Sequence, residues 1–301
     1  MNGWRAAAAL LALALALALA LALGACAAGP DPRGGVVRVV TWNIHHGRGL
    51  DDRVDVERIA AELAALRPDV VCLQEVDVGV RRSDRLDLPA ELARRLGLHA
   101  AFGKNIDHQG GDYGNAILTR WPIAWQENLH YRMLREGEQR GLLMVGVRVP
   151  TEAVRRRGTL RGAGRIRTRV PRRATRTLAF GCTHIDYRPD DAERWANCDE
   201  ILGAAAANGL ALVAGDFNDR PGSRVHARLT EQLVDAWDAV HGADDAPAAG
   251  GHTFPSAAPD RRIDWVLCDP ALLRPSRATV PPTAASDHRP VLVELERQPR
   301  R

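Results

Sequence analysis

Leu210–Asp219 reads LALVAGDFND, five apolar residues and a glycine followed by Asp216, Asn218 and Asp219 around one phenylalanine. A short apolar run closed by acids and an amide is a buried strand that delivers polar side chains at its end. The arrangement recurs where Val36–Val40 leads into TWNIHHG at Thr41–Gly47, and where Val70–Leu73 leads into the remainder of LQEVD at Leu73–Asp77. A fourth block, SDHRPV at Ser286–Val291, opens a last apolar run. Strand ends are where an α/β protein gathers a site. The side chains delivered are Asn43, Glu75, Asp216, Asn218, Asp287 and His288. Oxygen ligands with one imidazole suit a hard divalent cation and hydrolysis of a phosphate ester.

Each residue has a plainer reading when taken alone. Glu75 emerges from a buried strand, where a carboxylate is costly without a cation or donors, yet a lone acid at a strand end is usually a surface residue. Asn43 can bind a cation or orient a carboxylate, or simply make a turn. Asp216 and Asn218, two residues apart on an extended segment, point the same way. Asp216 can then bind or deprotonate a water and Asn218 can hold that water or a phosphate oxygen. Asp287 can reach a cation. His288 has the titration range of a proton shuttle and needs an orienting carboxylate; Asp264, inside the apolar run of RIDWV, is the candidate. His184, ending the strand of CTHID, and Asn115, in YGN, can donate to a phosphate. His45, His46, His108, His130 and His252 lack such a context and are read as loop or surface residues.

Strands are expected at Val36–Asn43, Val70–Gln74, Asn115–Leu118, Ile123–Leu129, Leu142–Val149, Leu178–His184, Leu210–Ala214, Ile263–Cys268 and Val291–Leu295. Helices are expected at Val54–Leu66, Leu88–Leu96, Asp191–Ala206 and Ser223–Leu229. Helices and strands alternate only in part and late strands cluster, which favours two packed sheets covered by helices. A doubly wound hydrolase would need a serine elbow, and no G-x-S-x-G occurs.

The N-terminus is a short cationic start followed by Ala6–Leu23, all alanine and leucine. This is a secretory leader, and Leu23-Gly24-Ala25-Cys26 resembles a bacterial lipobox. Residues 1–25 are therefore expected to be removed and Cys26 lipidated, which holds the protein on a membrane rather than across it; a plain signal cleaved after a small residue, with secretion, or an uncleaved anchor is the alternative. Residues 26–35 form a Pro/Gly tether, 36–296 one domain and 297–301 a tail. Cys72, Cys182, Cys198 and Cys268 are expected as buried thiols, and no Cys/His spacing suggests zinc. The net charge of +4 hides an asymmetry: the insertion at residues 151–177 carries +9 and Arg5 one more, leaving −6 on the rest. Such a loop can grip nucleic acid or an anionic lipid surface, or be a solvated insertion.

Taken together, TWNI, LQEVD, YGNAILTR, THID, GDFND, RIDWV and SDHRPV, in this order, resemble the endonuclease/exonuclease/phosphatase (deoxyribonuclease-I-like) superfamily from about Val36 to Leu295. The resemblance implies a four-layer α/β sandwich, two mainly antiparallel sheets flanked by helices. It implies a Mg2+- or Mn2+-dependent phosphoesterase. Asn43, Glu75 and Asp287 match its metal residues, Asp216 and Asn218 its water- and phosphate-orienting pair, His288 with Asp264 its catalytic histidine and partner, and His184 and Asn115 its phosphate residues. Asp186 stands where many members are apolar. The expectation is an exported, lipid-anchored phosphoesterase of phosphodiester or phosphomonoester bonds with nuclease-like chemistry, monomeric and without a protein partner, acting on nucleic acid or a phospholipid head group. The alternatives are a hydrolase of phospholipid head groups rather than a nuclease or, remotely, a non-catalytic binding module.

Overall fold

The computed structural model describes residues 35–150, 175–242 and 251–299. The leader, Cys26, nearly all of the tether and residues 151–174 of the Arg-rich insertion lie outside the described residues.

Among the described residues the chain builds two six-stranded sheets. The first contains β1 (Val36–Asn43), β2 (Val70–Val78), β3 (His99–His108), β4 (Gly111–Thr119), β11 (Leu273–Thr279) and β12 (Val291–Arg297), in the order β11-β12-β1-β2-β4-β3. The second contains β5 (Ile123–His130), β6 (Gly141–Pro150), β7 (Thr175–His184), β8 (Leu210–Asp216), β9 (Val234–Asp235) and β10 (Asp264–Cys268), in the order β5-β6-β7-β8-β10-β9. Each sheet has one parallel pair, β1 with β2 and β7 with β8, and its other pairs are antiparallel. A parallel pair needs a crossover. Helix α1 (Val56–Leu66) supplies the first; α2 (Leu88–Leu96) follows β2, and α3 (Ala192–Asn208) supplies the second crossover. Helices α4 (Arg224–Thr230) and α5 (Ala236–His241) follow β8 and β9.

The helices begin and end where local chemistry directs. The Asp55 side chain caps α1 by accepting from the Arg58 amide, and Ile59, Ala60 and Leu63 form its buried face. Asp87 caps α2 through the Ala90 amide. Gly97 and Gly209 end α2 and α3 with φ of +66° and +59°, a conformation glycine adopts without strain.

Central strands are apolar on both faces because both faces are covered. Val39, Cys72 and Ile117 pack with Val145, Phe180 and Cys182 in the layer between the sheets. Their neighbours Val40, Val71 and Leu118 point the other way, onto Ile59, Leu63 and Leu92 of α1 and α2. Met144, Val213 and Trp265 do the same on the second sheet, against Cys198, Ile201 and Leu229. The four layers are therefore helix, sheet, sheet, helix, as expected. Cys72, Cys182, Cys198 and Cys268 are buried free thiols.

Besides the two-residue β9 and the short helix α5 that follows it, strands β3 and β11 are additions to the sequence reading. Both are sheet edges, where partial exposure breaks the apolar pattern, and β11 carries Pro275 beside a bulge, as an edge tolerates. The turn at Trp121-Pro122 joins β4 to β5, which lie in different sheets. The insertion is also shorter at its far end than the charge pattern suggests, since Thr175–Thr177 already pair with Arg148–Pro150. No helix among the described residues is long and apolar enough to cross a membrane.

Phe180 is wholly buried between the sheets. Phe180→Ala is expected to lower stability by about 3–5 kcal/mol, read as a lower midpoint in urea. Leu134→Ala, at a residue 51% exposed, should stay within about 0.5 kcal/mol.

Candidate active site

Topology chooses the edge at which the polar blocks meet. The parallel strands β1 and β2 end on the same side, and so do β7 and β8. Strand β10 runs antiparallel to β8 with Asp264 opposite Asp216. Strand β12 runs antiparallel to β1 with Val291 opposite Thr41, so Ser286–Pro290 lie just beyond the end of β1.

Asn43 ties the ends together. Its Nδ2 donates to Glu75 Oε1 at 2.9 Å and to Asp216 Oδ2 at 3.1 Å, linking the first sheet to the second. Its Oδ1 accepts from the His45 amide, and its backbone carbonyl accepts from Ser286 Oγ at 2.7 Å. Glu75 sits at a break in the β2–β4 register with φ +57°. His45, His46 and Asn218 also have positive φ, at +45°, +46° and +47°. Left-handed backbone at residues other than glycine costs about 1–2 kcal/mol each and clusters where side chains must be aimed.

Asp216 is the centre. Its Oδ1 accepts from the Asn218 amide at 2.9 Å. Its Oδ2 lies 3.5 Å from His184 Nε2 and 3.7 Å from His288 Nε2. His288 Nδ1 is held by Asp264 Oδ2 at 3.0 Å. The His288 carbonyl accepts from Trp42 Nε1, and the ring packs on Phe254. Asp264 and Asp216 are both buried, and Asp264 Oδ1 has no hydrogen-bond partner.

Burial and the neighbouring Asp264 charge push the Asp216 carboxyl up to about 7, against the opposing pull of His288. Burial alone would lower His288, but Asp264, Asp216 and Asp287 outweigh it and push the imidazole up to about 10. His288 is therefore an imidazolium at neutral pH. Burial, then the charges of Arg140 and His288, hold His184 well below the ordinary histidine range, so it is neutral. Groups driven apart in this way are suited to separate acid and base roles.

Of the residues singled out from sequence, Asn43, Glu75, Asp216, Asn218, Asp264, His184 and His288 form one connected set. Asp287 joins at its solvent side, with Oδ1 3.6 Å from His45 Nδ1. Asn115 is buried in β4 and donates through Nδ2 to the carbonyl of Gly141, which pairs with His184. It approaches the site from the first sheet. Asp186 is buried beside Arg188.

Three residues escaped the sequence reading. His46 is buried rather than a surface residue, and a ring nitrogen of His45 and of His46 lies within 4.8 Å of a Glu75 oxygen. Arg140, also buried, places Nη1 2.9 Å from His184 Nδ1 while pairing with Glu138 at 3.0 Å. Among forty arginines, nothing local sets Arg140 apart. Asn43, Glu75 and Asp287 carry the hard oxygens that a divalent cation takes, and among the described residues Glu75 forms with His45 and His46 a group of side chains that could hold a metal ion.

The chain is similar to known proteins over this same region. The Endonuclease/Exonuclease/phosphatase family profile matches residues 40–288. The uncharacterized protein YbhP of Escherichia coli strain K12 is 27% identical over 277 residues, 86% of this chain and 95% of that protein. The endonuclease/exonuclease/phosphatase structure from Beutenbergia cavernae superposes with a TM-score of 0.63 at 26% identity, covering 87% of this chain and 72% of the other. The human Nocturnin catalytic domain with bound sulfate gives a TM-score of 0.64 at 20% identity, over 89% and 96% of the two chains, a likeness of fold alone.

In the metal-free protein, Asp264→Asn should lower the His288 pKa. Loss of the carboxylate leaves burial, which disfavours the imidazolium, less opposed. A histidine NMR titration checks this; an unshifted His288 would contradict the pairing.

Proposed function

This chain belongs to the endonuclease/exonuclease/phosphatase family of phosphoester hydrolases, and we propose that it cleaves a phosphoester outside the cytoplasm through the Asp216–His288–Asp264 group. The observation that carries the reading is that one buried carboxylate, Asp216, meets Asn43, Asn218, His184 and His288 at the shared edge of both sheets.

A water attacks phosphorus in line with the leaving oxygen. Asp216 Oδ2 takes the water's proton, while the Asn218 amide holds the other carboxylate oxygen and so its direction. His288, fixed through Nδ1 by Asp264, donates from Nε2 to a phosphoryl oxygen as charge grows there. His184 donates from the opposite side of Asp216. The phosphorus–oxygen bond to the leaving group breaks, and that oxygen is protonated from solvent or His288. Asn115 supports the phosphate side by its approach to the His184 strand. Asn43, Glu75 and Asp287 would hold the cation, which we propose is Mg2+ or Mn2+. When bound, it supplies Lewis-acid polarisation of a phosphoryl oxygen and neutralises charge on the leaving oxygen.

The Ala/Leu leader and Cys26 support an exported, lipid-anchored protein. The Arg-rich insertion supports an anionic polymer or surface as partner: nucleic acid in the first reading, a phospholipid head group in the second. The second is favoured by the anchor, because tethering raises the local concentration of head groups.

His288→Ala and Asp216→Ala should each lower kcat by about 10²- to 10⁴-fold without loss of the unfolding transition; wild-type rates would refute the assignment. The measurement is hydrolysis of plasmid DNA, RNA, sphingomyelin, phosphatidylinositol phosphates and bis-p-nitrophenyl phosphate with Mg2+, Mn2+ or EDTA. EDTA-sensitive DNA or RNA cleavage that weakens with salt supports the nuclease; cleavage of lipid or only the small diester supports the envelope enzyme. In a bacterial host, Cys26→Ser should move the protein from the membrane to the soluble fraction on centrifugation.

A further inference from the structure

We propose that Arg140 is a positioning residue that fixes the tautomer of His184, so that His184 presents an Nε2–H donor, rather than a lone pair, to the phosphate. This deepens the reading above and rests on it for the role of His184, though not for the tautomer itself. A guanidinium carries only N–H donors. Arg140 Nη1 lies 2.9 Å from His184 Nδ1, and both side chains are buried. Two donors facing each other at that distance would repel, so Nδ1 accepts. A neutral imidazole holds one proton, which then sits on Nε2, 3.5 Å from Asp216 Oδ2. Asn218 Nδ2 also lies 3.1 Å from Nε2, but it already donates to the Ile185 carbonyl at 3.1 Å. The amide can be turned over to present its oxygen, an acceptor, to Nε2–H; a guanidinium has no acceptor in any orientation.

Arg140 is itself well placed to hold this geometry. Glu138 pairs with it at 3.0 Å, and its guanidinium stands over the Tyr187 ring, 5.9 Å from the centroid. The β6–β7 pairing sets Gly141 opposite His184, which brings the preceding residue alongside the imidazole. His288 is oriented by the opposite device, a carboxylate that accepts from Nδ1. Two histidines thus flank Asp216, one held by an acceptor as an imidazolium and one held by a donor as a neutral ring, and both aim Nε2–H at the same place.

The test is a ¹⁵N-histidine NMR spectrum of the full folded domain with and without Mg2+, with His184 assigned through His184→Gln. The expected wild-type spectrum has His184 Nδ1 unprotonated and Nε2 protonated. Arg140→Met should abolish that preference and lower kcat about 10- to 100-fold, the range for groups that orient a working side chain, with KM little changed; Arg140→Lys, which keeps a donor, should restore most of both. A wild-type His184 protonated at Nδ1 overturns the proposal. So does an Arg140→Met protein that keeps the tautomer and its kcat, or one that raises KM alone, since Arg140 would then be holding substrate directly. If Arg140→Met fails to fold, the wild-type spectrum and Arg140→Lys still decide. The spectrum needs no turnover, so a protein that hydrolyses nothing in the panel would remove the proposed function and leave the tautomer standing or falling on its own resonances.

Discussion

A single buried carboxylate sets the terms for this molecule. Asp216 lies out of water at the end of β8, where an ionised oxygen is tolerated only with donors and positive charge around it. Those partners come from both sheets: Asn43 from the first, Asn218 and His184 from the second, and His288 from the segment entering β12. They converge only if the polar edges of the two sheets coincide. The two parallel pairs, each with its helical crossover, provide that coincidence, because each sends two strand ends toward the same edge.

The arrangement is expensive locally and supported from a distance. Glu75 and Asn218 hold left-handed backbone, Asp264 leaves one oxygen without a partner, and several ionisable groups are withdrawn from water. Three apolar layers above, between and below the sheets keep the scaffold rigid enough to impose this. A second polar knot helps. Arg262 Nη1 donates to Asp235 at 2.7 Å, and Asp235 also meets His226 Nε2 at 2.9 Å. It ties α4 and β9 to the start of β10, two residues before Asp264. Its charged groups are paired with each other, with Arg262 Nε left without a hydrogen-bond partner, which suits an internal brace; the Asp216 group instead sets two imidazole edges against one carboxylate.

Electrostatics then divides labour between two similar side chains. His288 and His184 stand at comparable distances from Asp216, 3.7 and 3.5 Å. Both are buried, which by itself favours the neutral ring; carboxylates around the first outweigh that and keep it charged, whereas a guanidinium beside the second reinforces it and keeps the ring neutral. The difference lies wholly in the neighbours, since the side chains are chemically identical.

Much of this was legible along the chain. Apolar runs ending in acids and amides marked β1, β2 and β8, and the order of the blocks marked the fold and most of the site, because strand formation and strand-end chemistry are written in adjacent residues. The central strands were also easy because burial on both faces makes them continuously apolar. The edge strands β3 and β11 were not, because an edge is half wet and its pattern dissolves into loop-like composition. Pairings beyond that were invisible: Arg140 meets His184 across 44 residues and Asn43 meets Asp216 across 173. His46 became a buried neighbour of Glu75 only through the turn that follows β1. The sequence by itself determined which segments are strands and helices and which side chains stand at their ends, since those are local properties of the chain. Tertiary structure alone decided which ends face one another, and with that the charge and proton position of each histidine, because these depend on fields and hydrogen bonds from residues that only folding brings close.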